Sequence, residues 1–129
     1  VLPLAVSGAF HSPFMKDAGF KFKDFINQFI FNNANIPVYT NVDAEVTINA
    51  GEFQNKLPLQ ISSSVLWTQT INNIAADGIT NFIEIGPGKV LAGLNKKINP
   101  ELNTVNIYNW ESLNFAMDEL MNCKEKELI

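Results

Sequence analysis

The segment NFIEIGPGKVLAGLNKKI, residues 81–98, limits the fold most. Asn81 to Ile85 is a short apolar run that reads as a strand. Gly86-Pro87-Gly88 reads as a tight turn, and Val90 to Ile98 carries a helical stripe. A further strand is expected at Thr104 to Ile107 and a last helix at Ser112 to Met121. Strands that alternate with helices point to an α/β layer with parallel strands.

The first half repeats the alternation less cleanly. Leu2 to Val6 reads as a short buried strand. Ser12 followed by Pro13 is a helix-start signal, a capping hydroxyl and then a preset φ. Phe14, Ala18, Phe22, Phe25 and Phe29 then recur at three- and four-residue spacing, thickened by Met15, Ile26 and Ile30. This predicts an amphipathic helix to about Ile30 whose Phe-rich face is core. Ile36 to Asn41 reads as a strand and Glu45 to Ile48 as a short edge strand. A weaker helix is expected over Gly51 to Ser63, interrupted at Pro58. Trp67, Ile71, Ile74 and Ala75 mark another helix, ended by Gly78.

Composition excludes several classes. The 129 residues are 47% hydrophobic, enough for a packed core, and carry a net charge of −4. Every basic residue is a lysine, so neither a nucleic-acid binder's basic stripe nor an arginine clamp for a carboxylate is encoded. Cys123 is the only cysteine. It can form no internal disulfide, and a metal cluster is not expected. With no bilayer-length apolar run and no signal peptide to be read, a cytoplasmic setting is expected. The strand-like start at Val1 without a methionine reads as a piece of something longer or as the product of processing.

His11, the only histidine, falls between a strand and a helix start. By residue pattern it reads either as a surface or capping histidine or as a catalytic base. Gly86-Pro87-Gly88-Lys89 could seat a phosphate at the following helix N-terminus, or be only a tight turn; no P-loop pattern is present. No GxSxG nucleophile elbow occurs, and Ser62, Ser63 and Ser64 read as caps.

Four blocks together resemble one family. VSGAFHSPFM (Val6 to Met15) resembles the segment around the catalytic histidine of malonyl-CoA:acyl-carrier-protein transacylases. PVYTNVDA (Pro37 to Ala44) resembles the next block. LQISSSVLW (Leu59 to Trp67) resembles the Gln-containing block, with Ser64 where proline is common. FIEIGPGKVLAGLNKKI (Phe82 to Ile98) resembles the Gly-Pro-Gly strand-turn-helix. The blocks keep the family order and span most of the chain. The resemblance implies the C-terminal part of the transacylase α/β-hydrolase-like core, with a largely parallel sheet, beginning near the last strand of an inserted ferredoxin-like subdomain. Residues 1–122 would be that part of the acyltransferase domain and 123–129 a frayed charged tail.

The same resemblance implies the chemistry. A serine, absent from this chain, would attack malonyl-CoA, and the malonyl group would pass from the serine ester to the phosphopantetheine thiol of acyl carrier protein. His11 would be the base, with its tautomer fixed by the main-chain carbonyl of Gln60, whose side chain would matter less. Phe10 would crowd an α-methyl group and favour malonyl over methylmalonyl, or else be a core Phe. Malonyl-CoA would be substrate, with no tightly bound cofactor. Implied partners are acyl carrier protein and the missing N-terminal part of the same enzyme, with its serine and carboxylate-binding arginine. Lys96 or Lys97 would help dock the acidic carrier, although a solvated helix end is the stronger reading of both. The strand FIEI would be buried on both faces in the intact protein. Two other readings stay open: an acyltransferase domain of a polyketide or fatty-acid megasynthase, and a non-enzymatic piece that only binds a carrier protein or partner chain. The charged ending KEKELI favours a freestanding enzyme over the megasynthase.

Overall fold

A computed structural model describes residues 8–126, with side chains to Asp118. The strand expected at Leu2 to Val6 lies outside the described residues. The chain divides into two compact units, the first ending at Asn73 and the second beginning at Ile74.

In the first unit a single 3₁₀ turn, Pro13–Met15, leads into α1 (Lys16–Ile26). Pro13 supplies the preset φ, but the Ser12 hydroxyl donates to the carbonyl of Ala9 at 2.6 Å and caps nothing. The helix ends at Ile26, earlier than the apolar spacing suggested, and turns carry the chain on to Phe29. β1 (Val38–Tyr39) pairs antiparallel with β2 (Val46–Thr47) in the register Val38–Thr47 and Tyr39–Val46. The tight turn between them places Ala44, with φ +61°, in the left-handed region, and its N–H donates to Thr40. Asp43 accepts from the Thr40 hydroxyl and the Glu45 N–H and pairs with Lys56 at 2.9 Å. Burial opposes the charge on Asp43, but the hydrogen bonds from Thr40, Lys56 and Glu45 and the Lys56 charge outweigh it and hold the carboxyl below its ordinary pKa.

α2 (Ala50–Ser62) starts on Asn49, whose side-chain oxygen accepts from the N–H groups of Gly51 and Glu52. Contrary to the expected interruption, it runs unbroken through Pro58. Pro58 is buried where α1 packs on α2, and a Cβ on Gly19 would lie 3.0 Å from the Pro58 carbonyl oxygen. That close approach favours a continuous helix over the local cost of a missing N–H. The expected Phe-rich face is core only in part. Ile26 is buried and Ala18 and Phe22 are half-buried, while Phe14, Phe25, Phe29 and Ile30 are exposed, Phe14 at 89%. α3 (Trp67–Ala76) begins on the Leu66 carbonyl, which accepts from the N–H and hydroxyl of Thr70.

The second unit holds the strand-turn-helix. β3 (Asn81–Ile85) and β4 (Asn103–Ile107) are parallel and paired from Asn81–Asn103 to Ile85–Ile107, with α4 (Val90–Ile98) between them in sequence. α4 and α5 both pack on β4. α5 (Trp110–Lys126) starts two residues before the expected Ser112 because the true cap is Asn109. Its side-chain oxygen accepts the Ser112 N–H at 2.8 Å, and the Ser112 oxygen accepts the N–H groups of Tyr108 and Asn109 in return. The backbone stays helical to Lys126, through residues read as tail. The class is α/β with a parallel strand pair, as expected, joined in the described residues by one antiparallel pair.

Ile83 and Ile85 project from one face of β3 and are exposed, Ile85 at 83%, and Val90 at the start of α4 is exposed as well. Apolar faces on this scale drive association. Sedimentation of the 129-residue chain should therefore show oligomers or aggregate growing with concentration. A sharp monomer at every concentration would contradict this reading of the exposed faces.

Candidate active site

α2 brings two of the expected site residues together. The last four carbonyls of a helix have no intrahelical partner. In the final turn of α2, Leu59 is satisfied by the Ser63 N–H, Gln60 by the ring of His11 and Ile61 by the His11 main-chain N–H. The ring bond runs from His11 Nδ1 to the Gln60 carbonyl oxygen at 2.9 Å, and the main-chain bond is 3.0 Å. A carbonyl can only accept, so Nδ1 carries the proton in this bond. In the neutral ring the lone pair then lies on Nε2, the form a base needs.

The backbone at His11 is itself unusual. Its φ is +59°, in the left-handed region that non-glycine residues seldom occupy. The loop before Pro13 thus turns sharply and presents an exposed imidazole on a fixed base. Phe10, beside it, is 65% exposed, with its ring folded back over Gly8, so that a Cβ there would meet the ring at 2.9 Å.

The Gln60 side chain has a partner that the sequence did not reveal. Its Oε1 accepts the Asn41 N–H at 2.9 Å. Ser62 and Ser63 sit at the C-terminal end of α2, Ser63 as its C-cap, where the sequence reading also put caps.

At the Gly-Pro-Gly turn the structure decides between a phosphate seat and a tight turn. Gly86 and Gly88 have φ of +140° and +91°, which require glycine. The N-terminal N–H groups of α4 already hold an anion from the chain itself. Glu84 Oε1 accepts from Leu91 and Oε2 from Ala92, each at 3.0 Å. The carboxylate fills the place a phosphate would take. A glutamate two residues before a Gly-Pro-Gly turn was the available signal. Among the described residues, no group of three or more His, Cys, Asp or Glu is arranged to hold a metal ion, and no helix is long and apolar enough to cross a membrane. A cavity of about 450 Å³ in the second unit, lined by Lys89, Thr104, Asn106, Tyr108 and Glu111 among others, includes none of Phe10, His11 and Gln60.

No family model matches the chain. Individual proteins do. Over 119 residues, 92% of the chain, it is 42% identical to the malonyl CoA-acyl carrier protein transacylase of Bacillus subtilis, and it spans 38% of that relative's length. The malonyl CoA-acyl carrier protein transacylase structure from Clostridium perfringens matches 99% of the chain at 30% identity with a TM-score of 0.92, and 40% of that structure is covered. A malonyl-transacylase solved in complex with a type II PKS acyl-carrier protein matches 92% of the chain at 35% identity, TM-score 0.86, with 38% of it covered. The chain is therefore similar to the C-terminal part of these transacylases.

The left-handed backbone at residue 11 can be tested without activity. Asn tolerates that region and a β-branched residue does not. His11→Val should lose about 1–2 kcal/mol more stability than His11→Asn, read from urea midpoints. Equal losses would show that the position does not select for left-handed geometry.

Proposed function

We propose that this chain, similar over nine tenths of its length to malonyl CoA-acyl carrier protein transacylases, supplies the histidine base of such an enzyme. The reaction is transfer of malonyl from malonyl-CoA to the phosphopantetheine thiol of acyl carrier protein. The observation that carries the reading is the 2.9 Å bond from His11 Nδ1 to the Gln60 carbonyl, which in the neutral ring leaves the lone pair on Nε2, at an exposed position.

The steps follow from that tautomer. A serine from the part of the protein outside this chain attacks the thioester carbonyl, and His11 Nε2 takes its proton as the C–O bond forms. The C–S bond breaks, and the imidazolium returns the proton to the CoA thiolate. A malonyl-serine ester remains. The carrier's thiol then gives its proton to Nε2, attacks the ester and frees the serine, which recovers the proton. Through both halves the Gln60 carbonyl, at the negative end of the α2 dipole, faces the ring while it is charged. Phe10 is proposed to crowd an α-methyl group beside the reacting carbonyl. One methyl is worth about 1–3 kcal/mol, so Phe10 alone gives modest selectivity.

The partner is supported by the complex of a similar transacylase with its acyl-carrier protein. Lys96 and Lys97, in the last turn of α4, are exposed and offer positive charge to an acidic carrier. A cytoplasmic enzyme that needs no tightly bound cofactor completes the proposal.

In the full-length protein, His11→Asn should lower kcat for malonyl transfer by roughly 10²–10⁴-fold, the usual worth of acid–base assistance. The 129-residue chain alone should transfer nothing above a buffer blank. Near-normal turnover of His11→Asn would remove His11 from the reaction, and transfer by the chain alone would place the nucleophile inside it.

A further inference from the structure

We infer that the Gln60 side chain is a positioning residue, which sets the His11 ring by anchoring the last turn of α2 to the peptide of Asn41. This deepens the proposed function and rests on it only for the activity arm of its test.

The ring's place is decided by where the final carbonyls of α2 point, because His11 is bonded to two successive ones. A helix end is the part of a helix most prone to fray. Something must therefore fix this one if the ring is to stay where it is. α1 packs along α2 at Pro58, just before the final turn. Beyond that point the Gln60 side chain makes a polar tie, through Oε1 to the Asn41 N–H at 2.9 Å. A peptide N–H can only donate, so the bond itself fixes which end of the amide faces Asn41.

Asn41 is a firm abutment. Its carbonyl accepts the Leu66 N–H at 2.9 Å, and the Leu66 carbonyl in turn holds Thr70, a buried residue of α3. On its other side Thr40 is buried and closes the turn through its bonds with Ala44 and Glu45. Gln60 thus touches both ends of the problem. Its main chain holds the imidazole and its side chain holds the turn. The two can be separated by mutation, because every substitution at residue 60 keeps the carbonyl.

Gln60→Leu removes the acceptor oxygen, and Gln60→Glu keeps one. The full-length protein, ring-¹⁵N-labelled at histidine, reports the tautomer of the neutral ring, with the His11 signals assigned by their loss in His11→Asn. The native protein and Gln60→Glu should hold the proton on Nδ1. Gln60→Leu should show a mixture of tautomers. Its kcat should fall about ten- to a hundredfold, the usual penalty for a misplaced catalytic group, while KM for malonyl-CoA stays within about twofold, since no contact to substrate is lost. Gln60→Met, which keeps the length and loses the oxygen, gives the same reading if the leucine variant does not fold. An unchanged tautomer and kcat in a folded Gln60→Leu or Gln60→Met would overturn the inference and leave the side chain a purely structural tie. So would a tautomer shift in Gln60→Glu equal to that in Gln60→Leu. A tautomer shift in a protein whose native form shows no malonyl transfer would uphold the positioning role and reject the proposed function.

Discussion

Two hydrogen bonds between His11 and the end of α2 organise the candidate site. The ring reaches the Gln60 carbonyl and the main chain reaches the Ile61 carbonyl. Both are orphan acceptors that any helix of this length would leave behind. The left-handed backbone at residue 11 is the cost of reaching both at once, of order 1–2 kcal/mol for a non-glycine residue. The bonds offset it, and what they secure is the tautomer. A histidine held by a carbonyl rather than a carboxylate has its orientation fixed without a fixed negative charge beside it.

The second constraint is surface. The faces left exposed are among the most apolar in the chain: the aromatic side of α1, and Ile83 and Ile85 on β3. Water is a poor partner for such faces. Their exposure fits a chain that spans 38% of the length of a relative it matches. It also explains why the Phe-rich stripe misleads when read alone. Periodicity tells which residues share a helix face, but not which other segment is present to cover it.

Legibility from sequence followed the range of the interaction. β3 and α4 fall at Asn81–Ile85 and Val90–Ile98 as read, because a short apolar run, two glycines and a helical stripe are all local signals. α2 was misread as broken since proline's cost is local, while its compensation, the approach of Gly19, lies 39 residues away. The start of α5 lies before the expected Ser112 because Asn109 and Ser112 cap reciprocally, and a serine is as good a cap signal in sequence as the asparagine three residues earlier. The capping role of Glu84 has no local signal, because the residue lies in a strand while the N–H groups it accepts from, Leu91 and Ala92, lie beyond the turn. At the site, the pairing of His11 with Gln60 was legible only through resemblance. Their separation of 49 residues carries no periodic signal, and the Asn41 tie to the Gln60 side chain left none at all.

The central claim is that His11 activates a nucleophile that this chain does not contain. Intact-mass analysis of the full-length protein, quenched after mixing with malonyl-CoA in the absence of carrier, tests it most directly. The account predicts one added malonyl group, mapped by peptide analysis to a serine outside these 129 residues and formed far more slowly in His11→Asn. A malonyl group mapped to Ser62, Ser63 or Ser64, or an ester that forms at an undiminished rate in His11→Asn, would contradict it.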